Sequence, residues 1–345
     1  MQRWSSLADV PPGFGPSIVT VGNFDGVHRG HQAVLRRLVT DARAAGVASV
    51  AITFDPHPLA VLRPAQAPPP LQWLRRKLDL VEQTGLDAVL VMEFTLELAG
   101  WSPERFVVDV LVRALHARGV VVGRDMRFGH RNSGDVTTLR ELGRVHGFDV
   151  GLVEDLGAMD ADHPSGRRWS STWVRELLAA GEVAAAAEVL GRPHEVAGEV
   201  VHGDHRGREL GYPTANLAQD CDGLVPADGV YAGWLTVLPA PAPDDGRDAH
   251  DGPGPHDGPD LEPLPAAISV GTNPTFDGLQ RRVEAHALDR TDLELYGRLV
   301  RVQFVRRLRP TLRFDGIEPL VEQMKLDVDD SRELLVGGRV QPLEP

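Results

Sequence analysis

Apolar residues in the first half of the chain follow two alternating periods. Short apolar runs predict strands over residues 18–21, 47–54, 88–92, 120–122 and 149–153. Between these runs, apolar positions at helical spacing predict helices through residues 34–42, 71–83, 103–116 and 137–145. Strands that alternate with helices form parallel sheets with crossover helices, so we expect a doubly wound α/β domain.

The pattern changes near Arg192. Short β-rich runs, separated by turn residues, predict strands over residues 195–201, 230–237, 266–270, 283–288 and 299–305. Such a series indicates an antiparallel barrel or a sandwich. A last helix over residues 317–335 carries Leu320, Val321, Met324 and Val328 on one face. We therefore expect two domains, 1–191 and 192–345.

One segment of the second domain, residues 239–265, is rich in Pro, Gly, Asp and His. Between residues 244 and 262, seven acidic residues stand against one basic residue, Arg247. A segment so polar buries too little apolar surface to order itself, so we expect a disordered loop between two barrel strands. His250 and His256 as metal ligands are the less favoured alternative.

Charge and cysteine content exclude several classes of function. The formal net charge is −13, which disfavours genomic nucleic acid as a partner but leaves room for a local nucleotide site. The single cysteine, Cys221, excludes an internal disulfide framework and fits a reducing compartment. No apolar run is long enough for a membrane span, and the first nine residues do not resemble a signal peptide. We expect a cytoplasmic protein with no membrane partner.

The most informative segment is GNFDGVHRGH at residues 22–31, which follows a predicted strand and opens a predicted helix. Free N–H groups at a helix start favour an anion, and the glycines let the backbone approach a phosphate. His28 and His31 are three residues apart and can face one ligand, where an imidazolium would stabilise charge on an attacked α-phosphate. The alternative is a pair of surface histidines. Our candidate phosphate contacts in this segment are Gly22, Asn23, Phe24 and Gly30.

A second phosphate site is predicted at residues 168–175. Ser170, Ser171 and Thr172 precede apolar residues at helical spacing and indicate a helix start. Thr172 and Arg175 share a helix face, and Arg168 lies just upstream, so hydroxyl and guanidinium groups can hold one triphosphate. A purely structural cap is the alternative, although it explains one hydroxyl rather than the set.

The second domain has no Walker-type loop, so any ATP site there must be built differently. A glycine-rich loop at residues 203–211 supplies Gly203, Gly207 and Arg208 as candidate phosphate contacts. Thr214 and Asn216 follow, two residues apart, and an extended chain puts both on one face. Their oxygen atoms suit Mg²⁺ bridging ATP phosphates, whereas a Pro-containing turn with local hydrogen bonds is an equally good interpretation of the spacing.

Several motifs of the first domain resemble those of bacterial FAD synthetases, within the nucleotidylyltransferase superfamily. These are GNFDGVHRGH, TFDPHP at residues 53–58, VGRDMRFG at 122–129 and the SSTxxR pattern at 170–175. The resemblance implies a Rossmann-like domain, catalysis by His28 and His31, and flavin contacts by Asp55, His57, Asp125 and Phe128. The family often carries Asn where this chain has Asp125.

Motifs of the second domain resemble those of riboflavin kinases. They are GRELGYPTAN at residues 207–216, GTNPTF at 271–276, VEAHALD at 283–289 and LYG at 295–297. The resemblance implies a β-barrel, Mg²⁺ held by Thr214 and Asn216, and Glu284 as the base that accepts the proton of the ribityl hydroxyl.

Together the two resemblances imply a bifunctional enzyme. It would use ATP to phosphorylate riboflavin to FMN and then to adenylylate FMN to FAD, so that riboflavin, FMN and ATP are its small-molecule partners. The alternatives are a riboflavin kinase with an inactive adenylyltransferase half, a non-catalytic flavin-sensing or storage protein, and another nucleotidylyltransferase acting on pantetheine phosphate or nicotinate mononucleotide. The sequence leaves the oligomeric state open, with a homo-oligomer as one alternative.

Overall fold

The computed structural model describes residues 1–153, 166–203, 210–238, 262–272, 281–290 and 292–337. The chain forms two compact units. The first consists of residues 1–69 and 74–170, and the second of residues 70–73 together with the described parts of 171–345. Among the described residues, no helix is long and apolar enough to cross a membrane.

The first unit contains a six-stranded parallel sheet of order β1-β4-β3-β2-β5-β6. Its strands are β1 Gln2–Trp4, β2 Ser17–Val21, β3 Ala48–Asp55, β4 Ala88–Glu93, β5 Ala117–Gly123 and β6 Asp149–Val153. The order runs outward in both directions from β2, which confirms the doubly wound, Rossmann-like sheet. The edge strand β1 was not expected, because in three residues it buries only Trp4.

Helices connect these strands. They are α1 Arg29–Ala45, α2 Pro58–Leu62, α3 Leu74–Glu82, α4 Leu96–Ala99, α5 Pro103–Phe106 with a π-helical continuation Val107–Ala114, and α6 Val136–His146. Leu35, Leu38, Val39 and Ala42 line the buried face of α1, as their spacing predicted. The helix expected from residue 71 begins instead at Leu74, and residues 70–73 group with the second unit.

The second unit is built on a closed six-stranded barrel of order β10-β11-β8-β7-β12-β9, with antiparallel neighbours. Its strands are β7 His194–Val201, β8 Ala215–Leu217, β9 Gly229–Val237, β10 Leu264–Thr272, β11 Arg281–Ala287 and β12 Leu299–Arg309. The barrel, rather than the sandwich, is therefore correct. Strand β10 includes Leu264 and Pro265, so the loop expected to extend to residue 265 ends earlier. Residues 239–261, with His250 and His256, lie outside the described residues.

The described residues of this unit also form the helices α7 Ser171–Ala180, α8 Val183–Leu190 and α9 Ile317–Leu335. Helix α8 packs on β7 and β12, and α9 packs on β9 and β10. Arg309 of β12 anchors α9 through a salt bridge of 2.6 Å to the buried Asp327. Because α7 and α8 group with the barrel, the division between the compact units falls after Ser170. The functional domain boundary at residue 191 stays a prediction.

His194 is a buried titratable group in the barrel, with 3% of its surface exposed. Its ring stacks on Phe304 at a centroid distance of 6.3 Å, and its Nε2 donates a hydrogen bond of 2.6 Å to the carbonyl oxygen of Leu224. Burial lowers the pKa of His194 from 6.5 to about 4. The ring is consequently neutral in the folded protein at neutral pH.

We predict that this histidine contributes to acid sensitivity. Between pH 6.5 and about 4, His194 is protonated in the unfolded chain but stays neutral in the folded protein. The contribution of His194 to the free energy of unfolding is therefore fully present above this window and is lost as the pH falls through it. The loss across the window is about 3 kcal/mol. Urea unfolding of the wild type and His194→Gln from pH 4 to 7 should show a flatter pH dependence for the variant. Parallel pH profiles would contradict the assignment.

Candidate active sites

The turn between β2 and α1 has an unusual backbone. Phe24 and Val27 have φ values of 48° and 37°, in the left-handed region that costs most for a β-branched residue. Their side chains are only 3% and 1% exposed and pack in one apolar cluster with Leu35 and Leu38 of α1. Burial of these side chains therefore holds the turn in a conformation that its backbone disfavours.

His28 and His31 lie together at the start of α1. His28 is the N-cap residue, and its Nδ1 accepts a long hydrogen bond of 3.4 Å from the backbone N–H of His31. The two rings stack with their centroids 3.6 Å apart. A Cβ at Gly30 would lie 3.1 Å from the His28 ring, so this glycine leaves room for the stacked pair. The structure thus brings together the two histidines that the sequence predicted as a pair.

The surroundings of His31 control its charge state. Burial, reinforced by the positive charges of His28, Lys77 and Arg168, holds the pKa of His31 well below its usual range. Its Nδ1 is buried and has no hydrogen-bond partner. The ring is therefore neutral without a ligand, and an anion at this position would favour its protonation.

Asn23 and His57 connect the ends of β2 and β3. The Asn23 side-chain amide lies 3.2 Å from Nε2 of His57, whose Nδ1 accepts a hydrogen bond from the backbone N–H of Leu59 at the start of α2. Asp55 ends β3 in the same region. The structure thus gathers these residues at the carboxyl edge of the sheet, where open α/β sheets bind ligands. Flavin contacts by Asp55 and His57 stay predictions.

Asp125 and Phe128 have different environments. Asp125 is exposed and forms an ion pair of 3.2 Å with Arg168, which we had assigned to phosphate. Phe128 is buried in the core of the first unit, with its ring centroid 6.0 Å from that of Phe106. Packing in the core therefore explains the burial of Phe128 without a ligand. Flavin contacts by Phe128 and Asp125 stay predictions.

Lys77 of α3 was missed by the sequence analysis. Its ammonium group is buried and lies 3.4 Å from the carbonyl oxygen of Asn23, in the turn that leads to the two histidines. The available signal was a lysine on the apolar face of α3, next to Leu78 and three residues from Leu80. A charged residue at a core-facing position needs a specific reason.

In the second unit, Thr214 and Asn216 lie at the start of β8. Nδ2 of Asn216 donates a hydrogen bond of 3.2 Å to Oγ1 of Thr214, so the two side chains meet as predicted. A Cβ at Gly203 would lie 2.6 Å from the Asn216 side chain, which places the end of β7 directly against this amide. Gly207 and Arg208 lie outside the described residues.

Glu284 is directly opposite Asn216 on the neighbouring strand of the barrel. Along β11, Val283, Ala285 and Ala287 are buried, whereas Glu284 is partly exposed. Directly opposed residues have Cβ atoms about 4.5–5.5 Å apart and project to the same side of a sheet. The barrel thus brings the predicted base beside the predicted metal ligand.

His286, two residues further along β11, adjoins this group. Its Nδ1 lies 2.8 Å from the carbonyl oxygen of Pro213, and its ring meets that of Tyr212 edge to face at 5.4 Å. These contacts fix the segment that leads into Thr214. In the sequence, His286 stands out only through its place in the VEAHALD motif.

Ser171, Thr172 and Arg175 all belong to α7, which begins at Ser171 as the hydroxyl residues predicted. Thr172 is exposed, and Trp173 and Val174 are buried. Phosphate binding by Ser171, Thr172 and Arg175 stays a prediction. In the part of the chain that the structure describes, no three His, Cys, Asp or Glu side chains are grouped so that they could hold a metal ion.

Comparison with known proteins assigns both units. The family model for FAD synthetase matches residues 13–167, and the family model for riboflavin kinase matches residues 190–335. A bifunctional riboflavin kinase/FMN adenylyltransferase of Escherichia coli (strain K12) is 35% identical over 316 residues, which cover 92% of each chain. The chain belongs to this bifunctional family. A relative of the same name from Pseudomonas fluorescens is 35% identical over 335 residues, or 97% of this chain and 98% of the relative.

A solved structure has a similar fold over nearly the whole length. It is described as a macrolide-efflux protein from Streptococcus pneumoniae and is 28% identical, with a TM-score of 0.77 over 96% of this chain and 98% of that chain. The expected family, fold class and pair of activities are confirmed: the chain is a riboflavin kinase and an FMN adenylyltransferase. Riboflavin and FMN are its flavin substrates, and ATP is the co-substrate.

We predict that two alanine substitutions separate the two activities. Gly30→Ala crowds the His28 ring and should lower FMN adenylylation, whereas Gly203→Ala crowds Asn216 and should lower riboflavin phosphorylation. A displacement of this kind lowers a rate by about 10- to 100-fold. Neither glycine has a positive φ, so the added methyl group tests space alone.

The matched controls are Gly151→Ala in the first unit and Gly316→Ala in the second. A Cβ at these positions would make only ordinary contacts, at 3.6 Å and 3.8 Å. Both activities are measured for all four variants by separating riboflavin, FMN and FAD chromatographically. Equal losses of both activities in either test variant would show a general folding defect instead.

Proposed function

We propose that the barrel unit phosphorylates riboflavin with Glu284 as the general base, and that His28 and His31 of the first unit assist the transfer of AMP to FMN. The observation that carries the kinase assignment is the register of β8 and β11, which puts Glu284 opposite Asn216. A carboxylate beside the ATP phosphates is where the ribityl hydroxyl must lose its proton.

In the kinase step, the 5′-hydroxyl oxygen of riboflavin attacks the γ-phosphorus of ATP, its proton passes to Glu284, and ADP leaves. Oγ1 of Thr214 and the amide oxygen of Asn216 are hard donors that suit Mg²⁺, and their side chains already meet. Mg²⁺, when bound, neutralises phosphate charge. Because Nδ2 now faces Thr214, the Asn216 amide must turn to present its oxygen to the ion.

Glu284→Gln should lower riboflavin phosphorylation by about 10²- to 10⁴-fold, since glutamine keeps the shape but cannot accept the proton. Formation of FAD from supplied FMN should persist at the wild-type rate. The control is Glu318→Gln, an exposed residue of α9. Phosphorylation by Glu284→Gln at the wild-type rate would exclude Glu284 as the base. Asp289 is a poor substitute, because its ion pair with Arg332 lowers the pKa of its carboxyl group.

In the adenylyl-transfer step, a phosphate oxygen of FMN attacks the α-phosphorus of ATP, and pyrophosphate leaves. The backbone N–H groups at the start of α1 supply donors for the phosphate oxygens. His31 has one buried ring nitrogen without a partner, which is available to the ligand. Negative charge at the α-phosphate raises the pKa of His31, so its imidazole takes up a proton as the anion binds.

His31→Ala should lower FMN adenylylation by about 10²- to 10³-fold, the usual effect of losing one contact to developing charge. Riboflavin phosphorylation should be unchanged. His146→Ala is the matched control, since this histidine lies in the last turn of α6 and also has a buried nitrogen without a partner. Wild-type FAD formation by His31→Ala would contradict the role of His31.

The wild-type protein itself tests the alternatives. Incubated with riboflavin, Mg²⁺ and ATP, it should yield first FMN and then FAD. FMN alone would indicate an inactive adenylyltransferase half, and flavin binding without turnover would indicate a sensing or storage protein. Omission of Mg²⁺ tests the metal requirement. We place both reactions in the cytoplasm, where ATP is plentiful and the single thiol of Cys221 stays reduced.

A further inference from the structure

Lys77 is the buried cation beside the turn at the start of α1. It is 8% exposed, and its ammonium group lies within hydrogen-bonding distance of three oxygen atoms. These are the carbonyl oxygen of Asn23 at 3.4 Å, Oγ1 of Thr53 at 3.3 Å and the carbonyl oxygen of Phe54 at 3.4 Å. The ammonium group has three donors, so each can be directed to one oxygen. Lys77 therefore joins the turn after β2 to the end of β3.

The lysine is unusual in this chain. Only two of the 36 lysines and arginines are lysines, and the other, Lys325 of α9, is exposed. All three hydrogen bonds of Lys77 go to uncharged oxygen atoms, and within the described residues it has no carboxylate ion-pair partner. A buried ammonium without such a pair destabilises the fold, so packing alone does not explain it.

The charges around Lys77 indicate what its ammonium group does. Burial lowers the pKa of Lys77, and the negative charges of Asp55 and Asp25 partly oppose that effect. The positive charge of Lys77 in turn helps to keep His31 neutral. The positive charge on this side of the turn therefore resides on Lys77 and not on the imidazole, before any anion has bound.

We propose that Lys77 is a positioning residue for adenylyl transfer, which fixes the Asn23 turn against β3 and provides a positive charge beside the start of α1, where the proposed function places the phosphates. The inference rests on the proposed adenylyl-transfer site of the first unit. It also explains why a lysine stands here in a chain rich in arginine. A compact ammonium can direct its donors to three convergent oxygens, whereas the planar guanidinium presents its donors in a fixed fork.

The first test uses Lys77→Met in the full-length protein, which keeps the length of the side chain and removes its charge and donors. FMN adenylylation should fall by about 10²-fold, mainly in kcat, because the turn and its charge act on the transition state. Riboflavin phosphorylation should stay at the wild-type rate, which reports on folding of the second unit, and the circular dichroism spectrum of the variant should match that of the wild type, which reports on folding of the first. Lys325→Met is the control and should change neither activity. Lys77→Arg should recover only part of the lost rate.

The second test observes Lys77 in the wild-type protein. Biosynthetic labelling with lysine carrying ¹³Cε and ¹⁵Nζ gives two lysine signals, which Lys325→Met assigns. Addition of α,β-methylene-ATP should shift the signal of Lys77 and leave that of Lys325 unchanged. If saturation with this analogue leaves the Lys77 signal in place, or if Lys77→Met forms FAD normally, the inference is wrong. A wild-type protein that makes no FAD would instead overturn the proposed function of the first unit.

Discussion

Burial of two apolar side chains, Phe24 and Val27, holds the turn on which the proposed chemistry of the first unit depends. A left-handed backbone conformation destabilises the fold by about 1–3 kcal/mol for such residues. Full burial of a Val or Phe side chain stabilises it by about 1.5–3 kcal/mol. The two quantities are comparable, so the turn persists only while both side chains are packed against α1. His28 and His31 follow immediately, and their stacked arrangement therefore depends on apolar contacts that carry no chemistry themselves.

In the second unit, the candidate site residues are positioned by the register of the barrel strands β8 and β11. Side chains of a strand alternate between the two faces, so a slip of one residue in β11 would exchange Glu284 with Val283 and bury a carboxylate. Closure of the barrel fixes β11 between β8 and β10, which makes such a slip costly. The proposed base and the proposed metal ligand can then be held on short strands instead of on a long loop. The residue opposite Asn216 is determined by the whole hydrogen-bonded ladder.

The local sequence pattern was sufficient to predict most helices and strands and to reveal both sets of motifs. The period of apolar residues and the turn residues are encoded over a few positions. It located α9 to the residue and the paired histidines of α1. It missed β1, whose three residues carry no period, and the assignment of residues 70–73 to the second unit, which depends on contacts far apart in the chain. Lys77 was missed for the same physical reason. The burial of a charge is a property of the folded surroundings, and the residue type alone does not reveal it.

A chain of net charge −13 binds anions through a few local cations. Asp125 is paired with Arg168, and Asp25 and Asp55 act on Lys77. Because Arg168 and Asp125 are both exposed, their pair is worth only about 0.2–1 kcal/mol, which an incoming phosphate can replace at little cost. The interaction of Lys77 differs, since a buried charge is screened far less by water. In the proposed site, a phosphate near α1 would replace Asp125 as the partner of Arg168 and would find the charge of Lys77 already in place. Two such local cations would allow a strongly acidic protein to bind polyphosphates without a broad basic surface.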